Sequence, residues 1–86
     1  MRVDYTDEAK KQIKKLDKSI QQRILDYLDN VATLEDPRSK GKGLTSNLAG
    51  LWRYRVGDYR IICRIIDAEL VILALEIGHR RDIYKK

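Results

Sequence analysis

Seven of the nine arginines in this 86-residue chain follow Pro37, and their spacing suggests chemistry. Arg53 and Arg55 alternate with Trp52, Tyr54 and Val56, while Arg60 and Arg64 alternate with Tyr59, Ile61, Cys63 and Ile65. A β-strand sends successive side chains to opposite faces, so all four arginines fall on the face opposite the apolar one. Each guanidinium stays protonated and offers a planar fork of donors that matches phosphate oxygens. Further on, Gly78-His79-Arg80-Arg81-Asp82-Ile83-Tyr84 gathers the chain's one histidine, two more arginines and a tyrosine. Gly78 permits a sharp turn off a strand. These are the parts of a phosphate site with a titratable group and a stacking ring. The competing reading is a solvated face with scattered salt bridges. The use of Arg rather than Lys weighs against it, as does the shortage of acids, with only Glu76 placed among the cations.

Such a face needs a sheet, and the sheet needs a cover. Residues 1–5 read as a brief opening strand containing Val3 and Tyr5. Thr6 is placed to cap a helix whose first turn holds Asp7 and Glu8, with Ala9, Ile13 and Leu16 on one stripe. Ser19-Ile-Gln-Gln22 has the pattern of a capping box for a second helix, with Ile20, Ile24, Leu28, Val31 and Leu34 on its apolar face. Glu35-Asp36-Pro37 closes this helical hairpin. Residues 38–50 read as a loop whose Gly-Lys-Gly lacks the spacing of a phosphate-binding loop. Three strands follow: Leu51–Val56, Tyr59–Ile66 after the two-residue turn Gly57-Asp58, and Leu70–Ile77. In the last strand, Val71, Leu73, Leu75 and Ile77 are expected on the covered face and Glu76 on the other. The order β-α-α-β-β-β predicts a single two-layer α+β domain over residues 1–86. Its N-terminal helical hairpin covers one face of a mainly antiparallel sheet and leaves the basic face uncovered.

Composition narrows the class further. The chain carries 18 Lys plus Arg against 13 Asp plus Glu, with 43% hydrophobic residues, as expected of a small ordered domain. From Pro37 onward eleven basic residues face five acids, so the whole surplus lies in the second part. That asymmetry points to an anionic partner, nucleic acid first and an acidic protein second. One cysteine excludes an internal disulfide framework, and no apolar leader or span is visible, so a cytoplasmic protein with no membrane partner is expected. No His/Cys/Asp/Glu group has zinc-ligand spacing, and no metal or other cofactor is expected.

Two blocks, Trp-Arg-Tyr-Arg-Val-Gly-Asp-Tyr-Arg at 52–60 and Gly-His-Arg-Arg-Asp-Ile-Tyr at 78–84, together with the order of elements, resemble RelE-type toxins of the RelE/ParE superfamily. The resemblance spans essentially the whole chain. It implies a metal-independent mRNA endonuclease acting in the ribosomal A site and held inactive in a hetero-oligomer by an acidic, RelB-like antitoxin. It also implies that the ribose 2′-OH attacks the adjacent phosphate, leaving a 2′,3′-cyclic phosphate and a 5′-OH. Its cationic positions fall on Arg53, Arg55, Arg60 and Arg80, and its terminal aromatic on Tyr84. Arg60 and Arg80 are expected to stabilise the phosphoryl charge, Tyr84 to stack on a base, and Arg53, Arg55, Arg64 and Arg81 to hold RNA. The best-known pattern has lysines where this chain has Arg53 and Arg55, and Arg is an implausible base. His79 is therefore the first candidate for that role, as base or as an orienting group, with Glu76 second. A ParE-like gyrase inhibitor and a non-catalytic RNA-binding module remain the alternatives.

Overall fold

Thr6 caps the first helix as expected and also does something local sequence does not announce. The computed structural model describes residues 1–79 and Arg81. Strand β1 (Arg2–Tyr5) leads into Thr6, whose hydroxyl accepts from the Ala9 N–H at 3.1 Å and opens α1 (Asp7–Lys14). The same hydroxyl donates to the Leu75 carbonyl at 3.1 Å, and the Thr6 N–H donates to the Ala74 carbonyl at 3.0 Å. Helix α2 (Lys18–Thr33) begins two residues earlier than a Ser19 box would place it. Asp17 sits at its N-cap without a side-chain bond. The box does not form because Ser19 already lies inside the helix; Gln21 instead reaches back to the Leu16 carbonyl at 2.7 Å and braces the turn between the helices.

The helix exits into extended backbone at Leu34. Pro37 starts a short 3-10 turn, Pro37–Ser39, capped by Asp36, which accepts from the Arg38 N–H at 2.9 Å. The fully buried Tyr54 donates its hydroxyl to the Pro37 carbonyl at 2.7 Å. Within the segment expected to be loop, Lys42–Gly43 forms a two-residue strand, β2. The remaining strands are β3 (Trp52–Val56), β4 (Tyr59–Ile66) and β5 (Val71–His79). Gly57 takes φ +58° in the β3–β4 turn, a conformation glycine adopts without steric cost.

The sheet runs β1-β5-β4-β3-β2, with β1 parallel to β5 and every other pair antiparallel. Both helices cover one face. Ala9 and Ile13 from α1, and Ile24, Leu28, Val31 and Ala32 from α2, close over Tyr54, Val56, Ile61, Cys63, Ile72, Ala74 and Ile77.

The covered residues of β5 differ from the expected set. Register pairs Ile62 with Glu76 but Cys63 with Ala74, so Leu75 is an extra residue in a β-bulge. Ile72 and Ala74 therefore share the helix-covered face with Ile77, and Val71 and Leu73 lie on the other. The unbroken apolar run Leu70–Leu75 has no alternation from which that phase could be read.

Burial makes two core ionisations harder. It pushes the Cys63 thiol from its usual value near 9 up to about 12, and the Tyr5 phenol, also near the Asp29 charge, from 10 up to about 12. Both groups favour the neutral form in the fold, so their contribution is intact below pH 9 and is lost as pH rises through about 12. Far-UV circular dichroism followed upward from pH 9 should show unfolding in that window, with tyrosinate absorbance rising in step. Tyrosinate appearing near pH 10 for every tyrosine, with the fold intact, would contradict this.

Candidate nucleic-acid interface

The strand register builds the basic face. Arg53 lies opposite Ile62, which lies opposite Glu76; Arg55 lies opposite Arg60, which lies opposite Gly78. Residues paired across an antiparallel ladder share a face, so Arg53, Arg55, Arg60 and Glu76 gather on the side away from the helices. Arg64, opposite Leu73, extends the row along β4 and is exposed. These four arginines come together as their alternation implied.

The face is less open than expected. Arg60 is only 4% exposed and Ile62 3% on the central strand β4, whereas Arg64 farther along the same strand is exposed. Arg55 and Arg60 are direct cross-strand partners. Like charges so placed cost stability, and burying one of them adds a desolvation cost. Gly78 contributes no side chain beside Arg60 on its other flank. The Nε of Arg53 is buried with no hydrogen-bond partner among the described residues.

Two observations place His79 elsewhere. Its register partner is Tyr59, which packs against the helix-covered core, and the two rings meet edge to face with centroids 5.6 Å apart. The Arg81 N–H also donates to His79 Nδ1 at 3.3 Å, leaving the ring proton on Nε2. The expected grouping of His79 with Arg53, Arg55 and Arg60 is therefore corrected: strand parity sends it to the opposite face, and its acceptor nitrogen is occupied. Arg81 is exposed, and Arg80 and Tyr84 lie outside the described residues.

The chain and its fold are matched in known proteins. The family model for the ParE toxin of type II toxin–antitoxin systems (parDE) matches residues 3–84. Toxin RelG of Mycobacterium tuberculosis is 32% identical over 84 residues, covering 98% of this chain and 95% of that protein. This chain belongs to the RelE/ParE superfamily of type II toxins. Among solved structures, the toxin–antitoxin complex RelBE2 of M. tuberculosis holds a chain 30% identical, with a TM-score of 0.83 over 94% of this toxin and 92% of that chain. The RelE–RelB complex of Pyrococcus horikoshii holds one 28% identical, with a TM-score of 0.72 over 94% and 96%. The shared fold is two helices on a five-strand mixed sheet.

The toxin also has a recess, away from the arginine row, that motif reading missed. A cavity of about 440 Å³ lies between α2 and Lys40, with Arg23, Tyr27 and Val56 among its walls. The Arg23 guanidinium comes close to Gly57, where a Cβ would sit 3.6 Å from its nearer nitrogen. The sequence signal was Arg23, Tyr27 and Val31 at helical spacing, which on its own marks only one side of a helix. Among the described residues, no helix is long and apolar enough to cross a membrane.

Proposed function

We propose that this toxin is a ribosome-dependent mRNA endoribonuclease of the cytoplasm, inhibited by an acidic RelB-like antitoxin in a hetero-oligomer. The observation that carries the reading is the Arg55–Arg60 pair, directly opposed across the strands with Arg60 buried. With Arg53 and Arg64 on the same face, the pair belongs to a row of cationic side chains, and a doubly charged phosphoryl transition state is what such a row can stabilise. Arg60 stabilises that charge, joined by Arg80, while Arg53, Arg55, Arg64 and Arg81 track the RNA backbone. Tyr84 stacks on a base. The 2′-oxygen forms its bond to phosphorus as its proton leaves. The P–O5′ bond then breaks, and the departing oxygen takes up a proton to become the 5′-OH.

Glu76 shares the arginine face and is the better-placed proton acceptor, whereas His79 packs on Tyr59 across the sheet. His79→Gln should therefore lower the cleavage rate by less than about tenfold, against roughly 10²–10⁴-fold for loss of a general base. A larger loss, with a flattened pH–rate profile, would return His79 to the base role. The antitoxin partner rests on the relatives, two of which were solved as toxin–antitoxin complexes. Its acidity follows from the cationic face it must neutralise.

Primer extension on translated mRNA after induced expression tests the function. Cuts within codons on ribosomes, lost in Arg80→Ala, are the expected result. The ParE description of the matching family favours a second reading, a gyrase inhibitor on the same scaffold. Inhibition of gyrase supercoiling with intact mRNA would select it.

A further inference from the structure

β1 ends at Tyr5, opposite Ala74, so the outer edge of β5 beyond that point has no strand beside it. The exposed edge is nevertheless occupied. Thr6 takes the Ala74 and Leu75 carbonyls, and Gln12 of α1 takes the next group, accepting the Ile77 N–H on its Oε1 at 2.6 Å. The Gln12 amide is oriented by its own helix, because its Nε2 donates to Glu8 Oε1 one turn back at 3.2 Å. With the nitrogen held toward Glu8, the oxygen is the atom left to face β5.

Ile77 lies between Glu76 and Gly78, the residues that register against Ile62 and Arg60. It lies two residues past the bulged Leu75, where strand phase has just shifted and a slip would carry Glu76 and Gly78 to the other face. We infer that Gln12 is a positioning residue for the basic site, locking the edge of β5 after the bulge so that Gly78 stays against Arg60 and Glu76 stays in the arginine row. Gln12 lies on the opposite side of the sheet from any RNA on that face and acts only through the strand. The inference rests on the nuclease reading for its effect on cleavage, but the lock itself can be tested without cleavage.

The experiment uses two variants. Gln12→Met keeps the shape and removes the acceptor. The double change Glu8→Gln with Gln12→Glu reverses donor and acceptor within the helix pair and still offers Ile77 an oxygen. In Gln12→Met, amide exchange at Ile77 measured by NMR should accelerate about tenfold, the size expected for one lost hydrogen bond. The cleavage rate at saturating ribosomes should fall about tenfold, with the half-saturating concentration unchanged within about twofold, since positioning acts on kcat rather than on binding. The double variant should restore both readings.

Unchanged Ile77 exchange in Gln12→Met would overturn the lock. Faster exchange with undiminished cleavage would overturn the positioning role, as would failure of the double variant to restore cleavage after restoring exchange. If the wild-type protein cuts no mRNA, the nuclease reading and the role in cleavage both fall, while Ile77 exchange still decides whether Gln12 holds the strand.

Discussion

Arg60→Ala should cut translated mRNA about 10²–10³-fold more slowly than the wild-type toxin, the loss typical of removing one preorganised charge-stabilising donor. Arg60 is expected to matter more than its neighbours because it is 4% exposed in the central strand. Its guanidinium is held away from bulk water, where a charge acts on a phosphate with less screening. Arg64 lies two positions on along the same face but is exposed, so Arg64→Ala should cost less than about tenfold. Replacing Arg60 also removes a buried side chain. Circular dichroism and urea unfolding of the variant must therefore show a folded protein for the rate to count. Folded Arg60→Ala that cleaves normally would remove Arg60 from the chemistry, and equal losses at Arg60 and Arg64 would remove burial as the distinguishing cause.

Gly41→Ala should be the most damaging of the alanine substitutions at Gly41, Gly43, Gly50 and Gly57. Gly41 has φ +78°, and a Cβ there would lie 2.4 Å from the Arg53 carbonyl oxygen, 2.8 Å from Trp52 Nε1 and 2.9 Å from Tyr54 Cδ1. The left-handed conformation alone costs an L residue about 1–2 kcal/mol. The overlap with backbone adds about 1–3 kcal/mol, because a carbonyl in a strand cannot swing aside like a side-chain end. A total of about 3 kcal/mol corresponds to a fall in Tm of very roughly 12–24 °C for a domain of this size. The same displacement would break the 2.7 Å bond from Trp52 Nε1 to the Lys40 carbonyl and disturb Arg53 on the basic face. Gly50→Ala is the control. Gly50 also has positive φ, at +92°, but a Cβ there meets nothing within 4 Å, so only the conformational cost remains. Thermal melts that show the two variants equally stable would refute the steric argument.

Much of the site could be read along the chain because strands alternate. Arg53, Arg55, Arg60 and Arg64 were assigned to one face by parity, and the register confirms it. Thr6 as a helix cap and Gly57-Asp58 as a two-residue turn were legible for the same kind of reason: each depends on chemistry within a few residues. β5 was not legible. Its apolar residues run without interruption, and a bulge at Leu75 changes the phase midway, so the expected core face was wrong up to the bulge and right at Ile77. His79 was misplaced for a related reason. Proximity in sequence to Arg80 and Arg81 suggested a shared site, but a one-residue step along a strand reverses the direction of a side chain.

The sequence by itself determined the elements, the class of fold, the cationic character of the second half and the family resemblance. All of these follow from local periodicity, local capping and the order of residue types. Only the tertiary structure decided that Arg60 is buried opposite Arg55, that His79 packs on Tyr59 away from the arginines, and that Gln12 holds Ile77 from 65 residues away. Burial depends on which segments come together around a residue, and that is set by pairing between distant parts of the chain. Hydrogen bonds such as that from Ile77 to Gln12 likewise depend on where one strand ends beside another, which no local pattern records.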